Sequence, residues 1–129
     1  MSDESKEFLI ILTEGKSDNG RKATIAFSMA LSALAMGHPA TVFLTSDGAV
    51  WGYRGSARQV IVPGFSPLAE LIQQFIEGDG RILLCSTCHR TCGIGDPDAP
   101  PTVEKLDAAG IAGMATILEI AASGCTMTF

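Results

Sequence analysis

Apolar residues are arranged along the chain in short unbroken runs, separated by longer stretches with helical spacing. Phe8-Leu9-Ile10-Ile11-Leu12 has no polar interruption, the pattern of a strand covered on both faces, as in a parallel sheet. A polar stretch from Gly15 to Gly20 follows, in which Asp18 or Asn19 can cap a helix. That helix is expected over Arg21 to Met36, with Gly37 as its left-handed stop. It is apolar almost all round, relieved only by the stripe Thr24, Ser28 and Ser32, so it must be covered on more than one side.

Ala40-Thr41-Val42-Phe43-Leu44 predicts a second strand ending in the turn-rich Thr45-Ser46-Asp47-Gly48. Ala49 to Arg58 suits a short helix and a loop equally, and Val60-Ile61-Val62 reads as a short strand. The clearest helix comes next. Ser66 is its cap, Pro67 takes the first turn, and Leu68, Leu71, Ile72, Phe75 and Ile76 form an apolar stripe that Gly78 ends. Arg81-Ile82-Leu83-Leu84-Cys85 is again a buried strand, with Cys85 at its carboxyl end. The Asp96–Pro101 stretch is irregular. Thr102 to Ala109 reads as a short helix, Ile111 to Met114 as a short strand or turn, and Ala115 to Ser123 as another helix. Cys125-Thr126-Met127-Thr128-Phe129 alternates strictly, as a half-covered edge strand does.

Strands and helices alternating at this spacing predict one domain over residues 1–129, a three-layer α/β/α arrangement around a mostly parallel, about five-stranded sheet. Reactive groups and ligands in such folds collect at the carboxyl ends of strands. Attention falls on Thr13 to Ser17, on Thr45 to Gly48, and above all on Cys85 onward.

Composition narrows the function. The chain has 129 residues, 47% apolar and 18% charged, enough to bury a core. Nine Lys and Arg against fourteen Asp and Glu leave a net charge of −5, which speaks against a protein that neutralises nucleic-acid phosphates. The longest greasy stretch, Ala23 to Met36, falls short of the roughly 20 residues that cross a bilayer. The acidic opening, Met1 to Glu7, lacks the basic and apolar regions of a signal peptide. A cytoplasmic protein is expected, in which four cysteines are thiols or ligands sooner than structural disulfides.

Gly15-Lys16-Ser17 hints at a phosphate loop, but the motif needs a glycine where this chain has Ile10, and no Gly-x-Gly-x-x-Gly occurs. The informative segment is Cys85-Ser86-Thr87-Cys88-His89-Arg90-Thr91-Cys92-Gly93. Its Cys-x-x-Cys-His matches haem attachment, which usually belongs to exported proteins. A metal site is a second reading, although only Cys125 and His38 lie elsewhere to complete a zinc set, and the spacing departs from iron–sulfur runs. A third is a dithiol redox site, without the tryptophan and proline flanks of thioredoxins. The fourth is a single thiolate that receives and hands on sulfur. It needs a pKa lowered by nearby cations and by the free N–H groups of a following helical turn; His89, Arg90 and the Gly93-Ile94-Gly95 turn offer these. Cys125, on a terminal strand, reads as a small hydrophobe.

Over nearly its whole length the chain resembles the DsrE/DsrF-like family of small sulfur-relay proteins. The resemblance is carried by Phe8–Leu12, the first helix ending at Gly37-His38, and Ala40–Leu44 running into Ser46-Asp47-Gly48. Val62-Pro63-Gly64-Phe65, the helix to Gly78 and Arg81–Cys85 continue it, as do Cys88–Ile94, Gly113-Met114-Ala115-Thr116 and Thr128-Phe129. Sulfur-transferring members of that family carry a cysteine at the end of this strand, eight residues before a glycine. Cys85 stands eight before Gly93, so the resemblance implies that Cys85 is the active cysteine; Cys88 occurs in a subset of the family. Many members have Arg directly before the glycine; here Cys92 stands there, and Arg90 lies two earlier.

The expected function is therefore a sulfur carrier or sulfurtransferase that accepts and passes on persulfide sulfur, with Cys85 and Cys88 as reacting thiols and His89 and Arg90 stabilising the thiolate. Its implied partners are sulfur-donor and sulfur-acceptor proteins of TusA-like or rhodanese-like kind, with no cofactor, metal or haem. The alternative is a non-catalytic binding or assembly module of the same fold, taking a metal or ligand through Cys85, Cys88 and Cys92. The all-round apolar first helix, with the face of Cys125, Met127 and Phe129, predicts a homo-oligomer, a trimer ahead of a dimer, with Cys85 near a subunit boundary.

Overall fold

The computed structural model describes residues 6–91 and 104–129. Five strands, β1 (Glu7–Leu12), β2 (Ala40–Leu44), β3 (Arg81–Cys85), β4 (Ala109–Ala112) and β5 (Gly124–Thr128), form one sheet in the order β4-β3-β2-β1-β5. Every pairing is parallel; Ile10 lies against Val42 and Met127, and Leu84 against Leu44 and Ile111. The helices are α1 (Arg21–Ala35), α2 (Leu68–Glu77), α3 (Ser86–Thr91) and α4 (Met114–Ala122). None of these helices is long and apolar enough to cross a membrane.

Parallel strands covered on both faces need apolar side chains at successive positions, and β1 to β3 supply them. One face of the sheet, with Ile10, Leu12, Val42, Leu44, Ile82 and Leu84, packs under α1 and α2 in the larger core cluster. There Phe27 and Phe75 meet edge to face at 5.8 Å between ring centroids, the geometry that aromatic quadrupoles favour. The opposite face, with Leu9, Phe43, Leu83, Cys85 and Ala112, packs under Ile117 and Ile120 of α4. The alternation of side chains along β3 thus sends Leu84 toward one layer and Cys85 toward the other.

The carboxyl ends of β1 and β2 are pressed together. The Gly48 N–H donates to the carbonyls of Thr13 and Thr45, both at 3.0 Å, and Thr45 N–H donates to Leu12 at 3.2 Å. A Cβ on residue 48 would sit 2.1 Å from the Leu12 carbonyl oxygen, a backbone atom that has no room to yield. Only glycine lets the turn after β2 close this tightly.

Several expectations are corrected. Val60–Val62 is not a strand: Val60 N–H bonds Ala57 and its carbonyl takes the Leu68 N–H, so the segment closes turns in place of a ladder. Helix α2 opens at Leu68 with Pro67 in the capping position and no side-chain cap from Ser66. Residues 104–109 hold no helix; Lys105 pairs with Tyr53 in an isolated antiparallel bridge, and Thr102 and Val103 lie outside the described residues. The ambiguous Ala49–Arg58 resolves into a 3-10 segment, Ser46–Gly52, followed by turns. Trp51 anchors it, fully buried with its indole N–H on the Glu14 carbonyl at 2.9 Å. Before α1, Gly20 takes the capping position, while the Asp18 carboxylate accepts from the Gly20 and Lys22 N–H groups at 3.1 and 2.9 Å. Gly37 adopts the left-handed conformation expected of it, φ 88°.

Candidate functional site

Cys85 closes β3 and α3 starts at the next residue, so the first N–H groups of the helix have no carbonyl partner within it. Two of them, from Thr87 and Cys88, donate to the Cys85 sulfur. The Thr45 hydroxyl, at the carboxyl end of the neighbouring strand, and the Cys88 thiol complete its set of donors. Burial raises the Cys85 thiol pKa, since a charged sulfur loses water there, but the four donors outweigh it and bring the thiol below its ordinary value. The side chain is 2% exposed, on the α4 side of the sheet.

Cys88 goes the other way. Burial raises its pKa first; the bonds from Thr45 and Ser46 oppose this, and the bond and charge of Cys85 add to the rise. The two directions describe one shared proton arrangement. Each thiol's proton affects the other's, so the pair titrates as a unit. Cys88 is half-buried and touches both core clusters. Its sulfur accepts the Ser46 N–H at 3.3 Å and lies 3.6 Å from the Thr45 hydroxyl. Ser46 presents that N–H from a left-handed conformation, φ 55°, which non-glycine residues rarely adopt.

Of the other residues singled out by sequence, His89 reaches Tyr53. Its Nδ1 and the Tyr53 hydroxyl lie 2.6 Å apart, and the rings stack with centroids at 5.8 Å and 24° between planes. Tyr53 is 3% exposed, so this contact pins α3 onto the segment after β2. The Arg90 side chain, Cys92 and the Gly93-Ile94-Gly95 turn lie outside the described residues. Cys125 is exposed on β5, remote in sequence from the cluster. Among the described residues no three His, Cys, Asp or Glu side chains converge as a bound metal would require.

Thr45, Ser46 and Tyr53 carry no role in the sequence reading, yet Thr45 and Ser46 reach the Cys88 sulfur and Tyr53 holds His89 of the same helix. The strand-end rule did direct attention to Thr45–Gly48; what it lacked was the knowledge that β2 and β3 are neighbours. Together the fold and the site define a three-layer α/β protein that holds two neighbouring thiols, Cys85 and Cys88, at the carboxyl end of a parallel strand. The chain belongs to the DsrE/DsrF-like family, whose model it matches over residues 6–129. Members of that family are in general sulfur-relay proteins. The chain is also similar to the uncharacterized protein MJ0760 of Methanocaldococcus jannaschii, at 32% identity over 112 residues. That match takes in 87% of this chain and 38% of the relative, so the chain spans well under half of that protein. The crystal structure of the ychN protein from E. coli superposes with a TM-score of 0.70 over 96% of this chain and 99% of that one, at 18% identity. It has the same fold.

The donor set makes a checkable statement about titration. With cysteine Cβ carbon-13 shifts followed by NMR, the pair's first titration step should fall below the ordinary thiol value and its second above it, with the Cys85 signal leading the first. Thr45→Val removes a donor and should move that first step upward, with Thr45→Ser restoring it. An unchanged first step in Thr45→Val would contradict the assignment.

Proposed function

We propose that the chain is a sulfur carrier or sulfurtransferase that takes up persulfide sulfur on Cys85 and passes it on within a cytoplasmic sulfur relay. The observation behind this reading is the convergence of the Thr87 and Cys88 N–H groups, the Thr45 hydroxyl and the Cys88 thiol on the Cys85 sulfur. A thiolate is the form that attacks a sulfane sulfur. The same donors then serve the terminal sulfur of the persulfide, which is itself anionic and needs hydrogen bonds once it is out of water. Cys88 shares in the chemistry, and His89 and Arg90 stabilise the thiolate. The donor and acceptor are proteins of TusA-like or rhodanese-like kind.

A homo-oligomer, a trimer ahead of a dimer, suits the apolar surface that one chain leaves open. Met29 and Met36 of the α1 region are 43% and 72% exposed, and Met114 and Leu118 of α4 are 58% and 69% exposed; apolar patches of this kind mark interfaces. In such an assembly Cys85 stands near a subunit boundary. Light scattering should return a multiple of the chain mass, and a monomer at micromolar concentration would contradict this part of the reading.

The sulfur site itself is tested by intact-mass and peptide analysis after exposure to limiting polysulfide. With Cys88 replaced by Ser, so that only one of the paired thiols can hold sulfur, the protein should gain one sulfur atom, about 32 Da, on the peptide carrying Cys85. Cys85→Ser should lose that adduct. Equal loading with and without Cys85 would refute the assignment.

A further inference from the structure

We propose that Cys88 resolves the Cys85 persulfide by attacking its inner sulfur, closing a Cys85–Cys88 disulfide and expelling the outer sulfur as hydrosulfide. The inference rests on the persulfide reading above and gives the bound sulfur a second fate, reductive release beside transfer.

The geometry points to the inner sulfur. Cys88 lies in the first turn of α3, three residues on from Cys85, and packs against the cluster that contains Cys85; the Cys85 Sγ is the atom that becomes the inner sulfur when Cys85 is loaded. Cys88 has a donor of its own, the Ser46 N–H at 3.3 Å, and its sulfur lies 3.6 Å from the Thr45 hydroxyl. A cysteine that merely filled space would not need that donor; a sulfur that must pass through a thiolate uses it. An acceptor thiol from another protein must reach a side chain that is 2% exposed. Cys88 makes no encounter at all, and intramolecular attack gains accordingly. The Cys-x-x-Cys spacing across a strand end and a first helical turn is one in which protein dithiols close readily.

The step balances without an outside oxidant. The Cys88 thiol proton passes, through solvent, to the outer sulfur, and the electron pair left on Cys88 forms the new S–S bond to Cys85. The pair of the old S–S bond leaves with the outer sulfur, which departs as hydrosulfide. The two cysteines are oxidised by the sulfane sulfur, which is reduced. A dithiol reductant then opens the disulfide by thiol–disulfide exchange. Over a full cycle that dithiol supplies the two electrons carried off by sulfide.

The test uses the full chain, reduced, desalted and given one equivalent of inorganic polysulfide, beside the Cys88→Ser variant treated identically. Serine at 88 keeps a hydrogen-bond donor beside Cys85 but cannot form the disulfide. Trapped sulfide is measured with a bimane reagent, and disulfides are mapped by peptide mass. The parent protein should end as the Cys85–Cys88 disulfide and release about one equivalent of sulfide per chain above the variant, following the single-exchange stoichiometry. The variant should retain its sulfur on Cys85. A parent protein that keeps its persulfide as long as the variant does, or whose disulfide joins Cys85 to Cys92, overturns the resolving step alone. No sulfur on Cys85 in the variant, with neither disulfide nor sulfide from the parent, overturns the persulfide reading and this inference with it.

Discussion

A sulfur atom taken out of water at the end of a strand can carry negative charge only if hydrogen-bond donors replace the solvent it has lost. Everything at the carboxyl edge of this sheet bears on that requirement. The first turn of α3 supplies two N–H groups to Cys85 because the helix starts immediately after β3, and its opening amides have no carbonyl of their own to meet. Thr45 supplies a hydroxyl because β2 is the neighbour of β3 and ends one residue before it. A hydroxyl has one proton to give and lone pairs to receive with. Thr45 can therefore give its proton to only one sulfur at a time, and the protonation states of Cys85 and Cys88 are linked through it.

The packing around the site keeps these donors in place. The turn after β2 closes against Leu12 and Thr13 at a distance that only Gly48 permits, which holds Thr45 and Ser46 against the sulfurs. Tyr53 is anchored in the core, and its contact with His89 ties α3 to the segment after β2 from the other side. His89 thus has a visible mechanical role in holding the helix whose amides face Cys85. The sulfurs lie between two elements, β2 with its turn and α3, each fixed to the core by its own contacts.

Much of the fold was legible in the sequence because the central strands are unbroken apolar runs. The Phe8–Leu12, Ala40–Leu44 and Arg81–Cys85 runs correspond to β1, β2 and β3 within a residue at each end. Their lack of alternation pointed correctly to a sheet covered on both faces. Local pattern failed where tertiary contacts decided. Val60–Val62 has β-branched composition, yet the Val60 backbone is bound in turns to Ala57 and Leu68, and Pro63 follows it. Ser66 has the right chemistry for a cap, but the chain enters α2 one residue later, through Pro67. Cys85 and Cys88 could be singled out by position and spacing alone. The parts played by Thr45, Ser46 and Tyr53 could not, since they depend on which strands are neighbours and on a backbone N–H that only a left-handed Ser46 presents.

The central claim is that Cys85 carries the transferred sulfur within the donor set formed by α3 and Thr45. A crystal structure of the Cys88→Ser variant soaked in polysulfide tests it most directly. The account predicts one additional sulfur bonded to Cys85 Sγ, within hydrogen-bond distance of the Thr45 hydroxyl or the first N–H groups of α3. A sulfur found instead on Cys92 or Cys125, with Cys85 unmodified, would contradict it.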